Sequence, residues 1–180
     1  MMNIRAAKPE VNETEAVFAF YNTLIDGMEG MEYHPKWKKG IYPDEGWLYS
    51  SMEKGELYIA EETETGEILA AMVINGSQND GYAGAEWQYP AEEGEYYVIH
   101  ALGVAVKHMR RGIGSAMVAE ALRLANAHGK KTVRLDVIDG NLPAGKLYTG
   151  MGFTFAEHRQ LYYEDTGWCG FDLYECSTEG

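Results

Sequence analysis

Cysteine is nearly absent from this chain: Cys169 and Cys176 are the only two in 180 residues. One pair makes no disulfide framework, and no Cys-x-x-Cys spacing offers zinc ligands. Both read as free thiols of a cytoplasmic protein. Long apolar runs are also missing. The longest, around Val98–Val106, falls well short of the roughly 20 residues that a membrane helix needs. The N-terminus has no apolar stretch of the kind that marks export. Positive charge is scarce: 15 Lys and Arg stand against 28 Asp and Glu, a formal net charge of −13. Nucleic acid is therefore excluded as a partner, because a phosphate backbone demands a basic surface. Membrane binding is not expected. The acidity suits a cationic acceptor such as an amine.

What is present fits a single packed domain over residues 1–180. The hydrophobic fraction of 46% suffices for a core, and a charged fraction of 24% argues against disorder. No repeat, linker or low-complexity tract interrupts the chain. Residues 3–7 read as a strand ended by Pro9. Asn12 or Thr14 can cap a helix through about Ile25, with Val17, Phe18, Tyr21, Leu24 and Ile25 on its apolar face. A second short helix is predicted over about 44–52, and a hairpin of strands over 56–62 and 67–75. The segment 96–106 is apolar on both faces, as a central strand should be. A helix over about 111–128 follows, ended by Gly129. An alternating strand around Val133, Leu135 and Val137 comes next, and final strands are placed at 153–158 and 167–174. The order is an alternating α/β one. Two irregular stretches, 27–46 and 76–94, carry His34, Trp37, Tyr42 and Trp87, with Trp47 directly after the first. Each is either loop packing or the lining of an acceptor pocket.

The densest signal lies at the turn between the central strand and its helix: Lys107-His108-Met109-Arg110-Arg111-Gly112-Ile113-Gly114-Ser115. The first turn of a helix leaves N–H groups unpaired at the positive end of its dipole. Gly112 and Gly114 remove side chains that would keep an anion from that backbone. One helix-end interaction is worth only about 0.3–1 kcal/mol, so tight anion binding needs cations as well. Lys107, Arg110 and Arg111 supply them, a local reversal of sign in an acidic chain. A phosphate-bearing cofactor is expected here. Further on stands Asn141-Leu142-Pro143-Ala144-Gly145-Lys146-Leu147-Tyr148, followed by Gly150-Met151-Gly152-Phe153. A P-loop is excluded, because no Gly-Lys-Ser/Thr follows the glycines. A Rossmann site is disfavoured by Met117 at the third glycine position.

Residues 96–153 resemble the core of the GCN5-related N-acetyltransferase (GNAT) superfamily. That family pairs an (Arg/Gln)-x-x-Gly-x-(Gly/Ala) loop with a later Asn and Tyr on a short helix, then Gly-Phe. Gly112, Gly114, Asn141, Ala144, Leu147, Tyr148, Gly152 and Phe153 occupy those positions. The resemblance implies a mixed, mostly antiparallel twisted sheet flanked by helices. It also implies acetyl-CoA as cosubstrate, docked at splayed central strands. The implied cofactor residues are Leu102, Gly103, Val104, Val106, Met109, Arg110, Arg111, Gly112, Ile113, Gly114, Ser115, Asn141, Ala144 and Tyr148. Met109 departs from the family's Arg/Gln, so that polar contact is lost or taken over by Arg110 or Arg111. No metal is implied. Homodimers are common in the family.

The implied reaction moves an acetyl group to a primary amine of a small molecule or peptide. An aliphatic amine has a pKa of about 10, so roughly one molecule in a thousand is neutral at pH 7. The enzyme must take a proton from the ammonium and return one to the departing thiolate. The resemblance implies Tyr148 as the general acid. The alternative is a Tyr that packs its ring on the sheet. Asn141 is either a helix cap or a cofactor ligand, or both. His100, with an ordinary pKa near 6.5, is the first candidate base, and a structurally satisfied His is the alternative. Glu86 and Glu95 are weaker candidates. His108 and His128 read as solvated. The rival function is a non-catalytic acyl-CoA-binding sensor.

Overall fold

A computed structural model of the chain describes residues 1–179. Seven strands and four α-helices follow in the order β1 (Met2–Ala6), α1 (Val11–Met28), α2 (Glu45–Glu53), β2 (Leu57–Glu62), β3 (Ile68–Asn75), β4 (Tyr96–Val104), α3 (Ile113–Ala127), β5 (Thr132–Ile138), α4 (Leu142–Gly150), β6 (Thr154–Tyr163) and β7 (Gly167–Ser177). The strands hydrogen-bond in the order β1-β2-β3-β4-β5-β7-β6. The sheet is mixed and mostly antiparallel, as the sequence implied. The β4–β5 pair is parallel, while β1–β2, β2–β3, β5–β7 and β6–β7 are antiparallel. Residues group into two compact units, the first holding 1–31, 37–74 and 100–117, the second 32–36, 75–99 and 118–179.

In the first unit, α1 turns one apolar stripe inward. Val17, Phe20, Tyr21, Leu24 and Met28 recur at helical spacing and are buried. They pack with Leu48 and Met52 of α2, Leu57 and Ile59 of β2, and Ala71 and Val73 of β3. Each such side chain, taken fully out of water, contributes roughly 1.5–3 kcal/mol before its entropy cost. Arg5 of β1 fixes the helix start from outside this core. Its Nε and Nη2 donate to Glu61 Oε1 and Oε2, each at 2.8 Å, and Nη1 donates to Glu13 Oε1 at 2.7 Å.

The second unit is built on β5 and the β6–β7 hairpin. Tyr96, Val98, Ile138, Leu161, Phe171 and Leu173 form its core with Tyr82, which the 76–94 loop contributes. Two buried charges from neighbouring strands pin that loop. Arg134 of β5 lies between the rings of Trp87 (4.3 Å) and Tyr96 (4.8 Å) and donates to Gln78 Oε1 and the Tyr89 carbonyl, each at 3.3 Å. Glu175 of β7, its cross-strand partner, accepts the backbone N–H groups of Gln88 and Tyr89.

Several boundaries differ from the sequence reading. Glu10, not Asn12 or Thr14, precedes the first turn of α1, and no side chain caps it. The helix runs on to Met28 because Phe20 and Met28 extend the buried stripe, while Phe18 is only partly buried. β4 stops at Val104 rather than at residue 106, where the chain enters a short 3₁₀ turn, Val106–His108. β6 and β7 are longer than predicted because they pair from Thr154↔Glu175 to Tyr163↔Gly167. Pairing satisfies backbone groups that polar sequence hides from a periodicity reading.

Candidate active site

The predicted site residues divide between the two units, and each half is described on its own.

In the first unit, the basic turn joins the 3₁₀ segment to α3. Arg110 (φ 61°) and Gly112 (φ 78°) both adopt left-handed backbone, so the turn is tight. A Cβ built on Gly112 would meet nothing within 4 Å, so the space beside that backbone is open. α3 begins at Ile113, and its first turn, which holds Gly114 and Ser115, contains no acidic residue. A 15-residue helix with no carboxylate at its positive end suits an anion. Arg110 and Arg111 are exposed. The Arg111 guanidinium lies 2.9 Å from His108 Nδ1. Glu67 holds Lys107 and His108: its Oε1 is 2.6 Å from Lys107 Nζ and 3.2 Å from His108 Nε2. Those two partners keep the Glu67 carboxyl below the usual carboxylate range. His108 is thus a partly buried, paired residue rather than the solvated one expected, because Glu67 on the preceding hairpin reaches it. Met109 turns into the apolar cluster of α1 and α2, so it offers no polar contact.

β4 carries a kink. Ala101 takes φ 50°, and its carbonyl accepts a 2.9 Å hydrogen bond from the buried phenol of Tyr21. A non-glycine residue at positive φ is strained, and a buried donor holds it in place. Two residues on, Gly103 has no room for a side chain: a Cβ there would lie 2.3 Å from Leu24 Cδ2 and 3.3 Å from Trp37. Leu102 and Val104 are partly buried and Val106 is exposed.

His100 is partly buried, its ring edge-to-face with Trp47 at 6.0 Å. Trp47 stacks on Tyr42 (5.7 Å), Tyr42 meets Trp37 (6.2 Å), and Trp37 meets Tyr21 (6.1 Å). These rings also pack on the core, so the first irregular stretch is anchored loop. His34, in the second unit's short 32–36 segment, accepts the Lys36 N–H at 3.0 Å.

In the second unit, α4 presents Tyr148, which is 7% exposed and edge-to-face with Phe153 at 5.6 Å. Burial first, and the charge of Asp136 second, hold its phenol well above the ordinary tyrosine value. It therefore keeps its proton throughout the neutral range and serves as a proton donor rather than as a base. Asn141 stands at the α4 N-cap with φ −82° and ψ 67°, and its side chain makes no cap hydrogen bond. The expected cap is replaced by Pro143 in the first turn, where a missing N–H costs nothing. Ala144 is partly buried. Glu86 donates its N–H to Glu157, Glu95 pairs with Lys131 at 2.7 Å, and Trp87 stacks on Arg134. His128 is exposed, yet its Nδ1 lies 2.7 Å from the Tyr97 hydroxyl. Cys169 and Cys176 are free thiols, and burial raises the Cys176 thiol, which quiets it.

Sequence reasoning missed Asp136. It lies on β5, two positions beyond Arg134, which pairs with Val98 of β4. Its Oδ2 accepts hydrogen bonds from Tyr82 Oη (2.7 Å) and Tyr163 Oη (2.6 Å). Asp136 as a residue is partly buried. Desolvation raises its pKa, and the two phenols partly offset that rise. An acid on the polar face of a strand whose other face is apolar was the available signal. Tyr82 also lines a cleft of about 800 Å³, together with Trp87, Gln78, Arg134, Lys131 and Glu95 among others.

With this geometry in hand, comparisons place the chain. The sequence model described as "Acetyltransferase (GNAT) family" matches residues 21–153. The chain belongs to that family, a class of acetyltransferases. It is 37% identical over 81 residues to a mycothiol acetyltransferase of Corynebacterium glutamicum, a stretch covering 44% of this chain and 27% of that protein. The chain thus spans about a quarter of the length of the curated relative it matches. The fold is that of a GNAT-family acetyltransferase from Streptococcus agalactiae (TM-score 0.77, 14% identity, 99% of this chain and 96% of that one). It is also that of yncA from Salmonella typhimurium, solved with its cofactor acetyl-CoA (TM-score 0.71, 15% identity, 100% of this chain and 95% of that one).

Proposed function

We propose that residues 1–180 act as one acyl-CoA N-acyltransferase domain, moving acetyl from acetyl-CoA to a primary amine by direct attack in a ternary complex. The observation that carries this reading is the basic, carboxylate-free start of α3 within the segment that matches the family. Acetyl-CoA, when bound, supplies an activated thioester. Gly112, Gly114 and Ser115 offer backbone N–H groups to its diphosphate, and Arg110 and Arg111 offer charge. Asn141, whose side chain makes no cap bond, is free of that duty and suits the pantetheine arm. Tyr148 holds a proton for the departing thiolate. His100 takes the ammonium proton, directly or through water, from beside Trp47. Holding both reactants in line supplies much of the remaining rate. No side chain is assigned as a covalent carrier.

One observation favours a second reading, a binding-only acyl-CoA sensor: Met109 is turned into the core, where the family uses a polar Arg or Gln. Free-thiol release from acetyl-CoA against polyamines, aminoglycosides, amino acids and short peptides separates the two. Acceptor-dependent release supports the transferase, whereas cofactor binding with no release across the panel supports the sensor. The protein is assigned to the cytoplasm, and among the described residues no helix is long and apolar enough to cross a membrane. A homodimer is part of this reading. Phe155, Tyr162 and Trp168 on β6 and β7 are exposed large aromatics, and β6 is an edge strand.

A further inference from the structure

One cluster of metal-ligating side chains stands apart from the groups used above, and all of it lies in the second unit. Asp139 follows the end of β5, His158 is on β6 and Asp172 is on β7. Strand register brings them together. His158 and Asp172 are direct cross-strand partners, so their side chains leave the same face of the hairpin. The Asp139 N–H donates to the Gly170 carbonyl at 3.0 Å, which fixes the third residue beside them. One donor atom of each of the three lies within 4.8 Å of the other two. His158 Nε2 is 3.0 and 3.2 Å from the two Asp139 carboxylate oxygens. Donors on a tetrahedral zinc ion, bonded at about 2.0–2.2 Å, stand roughly 3.3 Å apart, close to the spacing of this pair.

Gly170 points the same way, independently of those contacts. It sits inside β7, where a glycine packs nothing and weakens the strand. Its backbone is not left-handed, so no torsion demands it. The demand is for space: a Cβ there would collide with Asp139 Oδ2 and lie 2.8 Å from both Asp139 Cγ and His158 Nε2. The strand thus gives up a side chain at the point where carboxylate and imidazole converge. An ordinary ion pair does not account for this. His158 and Asp139 are 48% and 50% exposed, and a pair at such exposure contributes little. It also leaves Asp172 aside. No Lys or Arg pairs with Asp139 or Asp172 among the described residues, so two carboxylates face one imidazole. A divalent cation offsets that charge.

We propose that Asp139, His158 and Asp172 form a binding site for a divalent transition ion of the zinc class, with the remaining coordination position left to water. An imidazole among the donors favours such an ion over magnesium or calcium, which prefer oxygen ligands alone. The ion joins the turn between β5 and α4 to the β6–β7 hairpin. Asp139 stands two residues before Asn141, so the start of α4 is held to the hairpin when the ion is bound. The role is structural, and it does not rest on the transferase reading.

The test uses zinc chloride as probe and magnesium chloride as control, on the full chain without an affinity tag and stripped with EDTA. Calorimetric titration is expected to show saturable one-to-one binding of zinc and much weaker binding of magnesium. His158→Gln and Asp172→Asn are each expected to weaken zinc binding about tenfold or more. The His158 ring protons, identified in the NMR spectrum by their loss in His158→Gln, should shift in step with the calorimetric saturation. Zinc should also raise the melting temperature of the wild type more than that of either variant. His34, His100, His108 and His128 are the alternative zinc ligands. Unchanged affinity in both folded variants, with the His158 ring signals unmoved, places the ion there and overturns the proposal. Absence of zinc binding by the wild type overturns it whether or not a variant folds. Magnesium binding as tight as zinc also overturns it, by reducing the cluster to acidic surface.

Discussion

A buried hydrogen bond from Tyr21 stands at the kink in β4, which makes Tyr21→Phe a sharp test. The Tyr21 side chain is 2% exposed, and its hydroxyl donates to the Ala101 carbonyl at 2.9 Å. Phe keeps the ring and its contacts with Phe20 (5.3 Å) and Trp37 (6.1 Å), so no large cavity opens. What is lost is the bond, and the carbonyl of a residue at φ 50° loses its phenol donor inside the core. A typical buried hydrogen bond nets about 0.5–1.5 kcal/mol, and a partner left unsatisfied costs about 1–3 kcal/mol. Easier burial of a phenyl than a phenol offsets part of this, leaving a loss of about 1–2 kcal/mol. With a urea slope of about 2 kcal/mol per molar, the midpoint falls by about 0.5–1 M. The melting temperature falls by about 2–4 °C for each kcal/mol in a chain of this size. Urea titration followed by tryptophan fluorescence reads both the midpoint and the slope. A loss below about 0.3 kcal/mol, with unchanged slope, would refute the reasoning, because a buried carbonyl cannot lose its donor at no cost.

Tyr148→Phe is expected to lower turnover about tenfold or more while leaving acetyl-CoA affinity nearly intact; stopped-flow or steady-state thiol release checks it, and unchanged turnover removes Tyr148 from the mechanism. Glu67→Gln frees Lys107 and His108 for an anion, so acetyl-CoA should bind about two- to fivefold tighter at low salt, with the gain gone near about 0.5 M salt. Calorimetric titration at two ionic strengths measures this, and weaker binding in the variant contradicts it. Asp136→Asn should stabilise the protein at pH 7. The folded carboxyl has a raised pKa, so between its unfolded value of about 3.9 and that raised value the folded state binds more protons, and stability falls as pH rises through this window. The stability gap between variant and wild type should therefore close towards pH 4 in thermal melts, and a gap that widens there would reverse the sign of the argument.

Much of the fold was legible in the chain because its cues are local. The helical spacing of Val17, Tyr21 and Leu24, the alternation of Val133, Leu135 and Val137, and the glycines at 112, 114 and 129 each report on a few consecutive residues. The basic turn and the later Asn–Pro–Tyr element were legible for the same reason, and they carried the family. Partners distant in sequence were not. Glu67 reaches Lys107 and His108 across 40 residues of chain or more, and Tyr82 meets Asp136 across 54. Asn141 reads as a cap by its type, yet only the backbone angles decide that its side chain makes no cap bond.

The sequence by itself determined the class of fold, the basic glycine turn and the tyrosine we propose as proton donor, because glycine conformation, helix-end charge and side-chain chemistry act within a few residues. Tertiary structure alone decided that Met109 turns inward, that the Ala101 carbonyl at the kink meets the Tyr21 hydroxyl, and that Asp136 accepts from two phenols. Those outcomes depend on which distant side chains desolvate one another, and burial sets the strength of every charge and hydrogen bond involved.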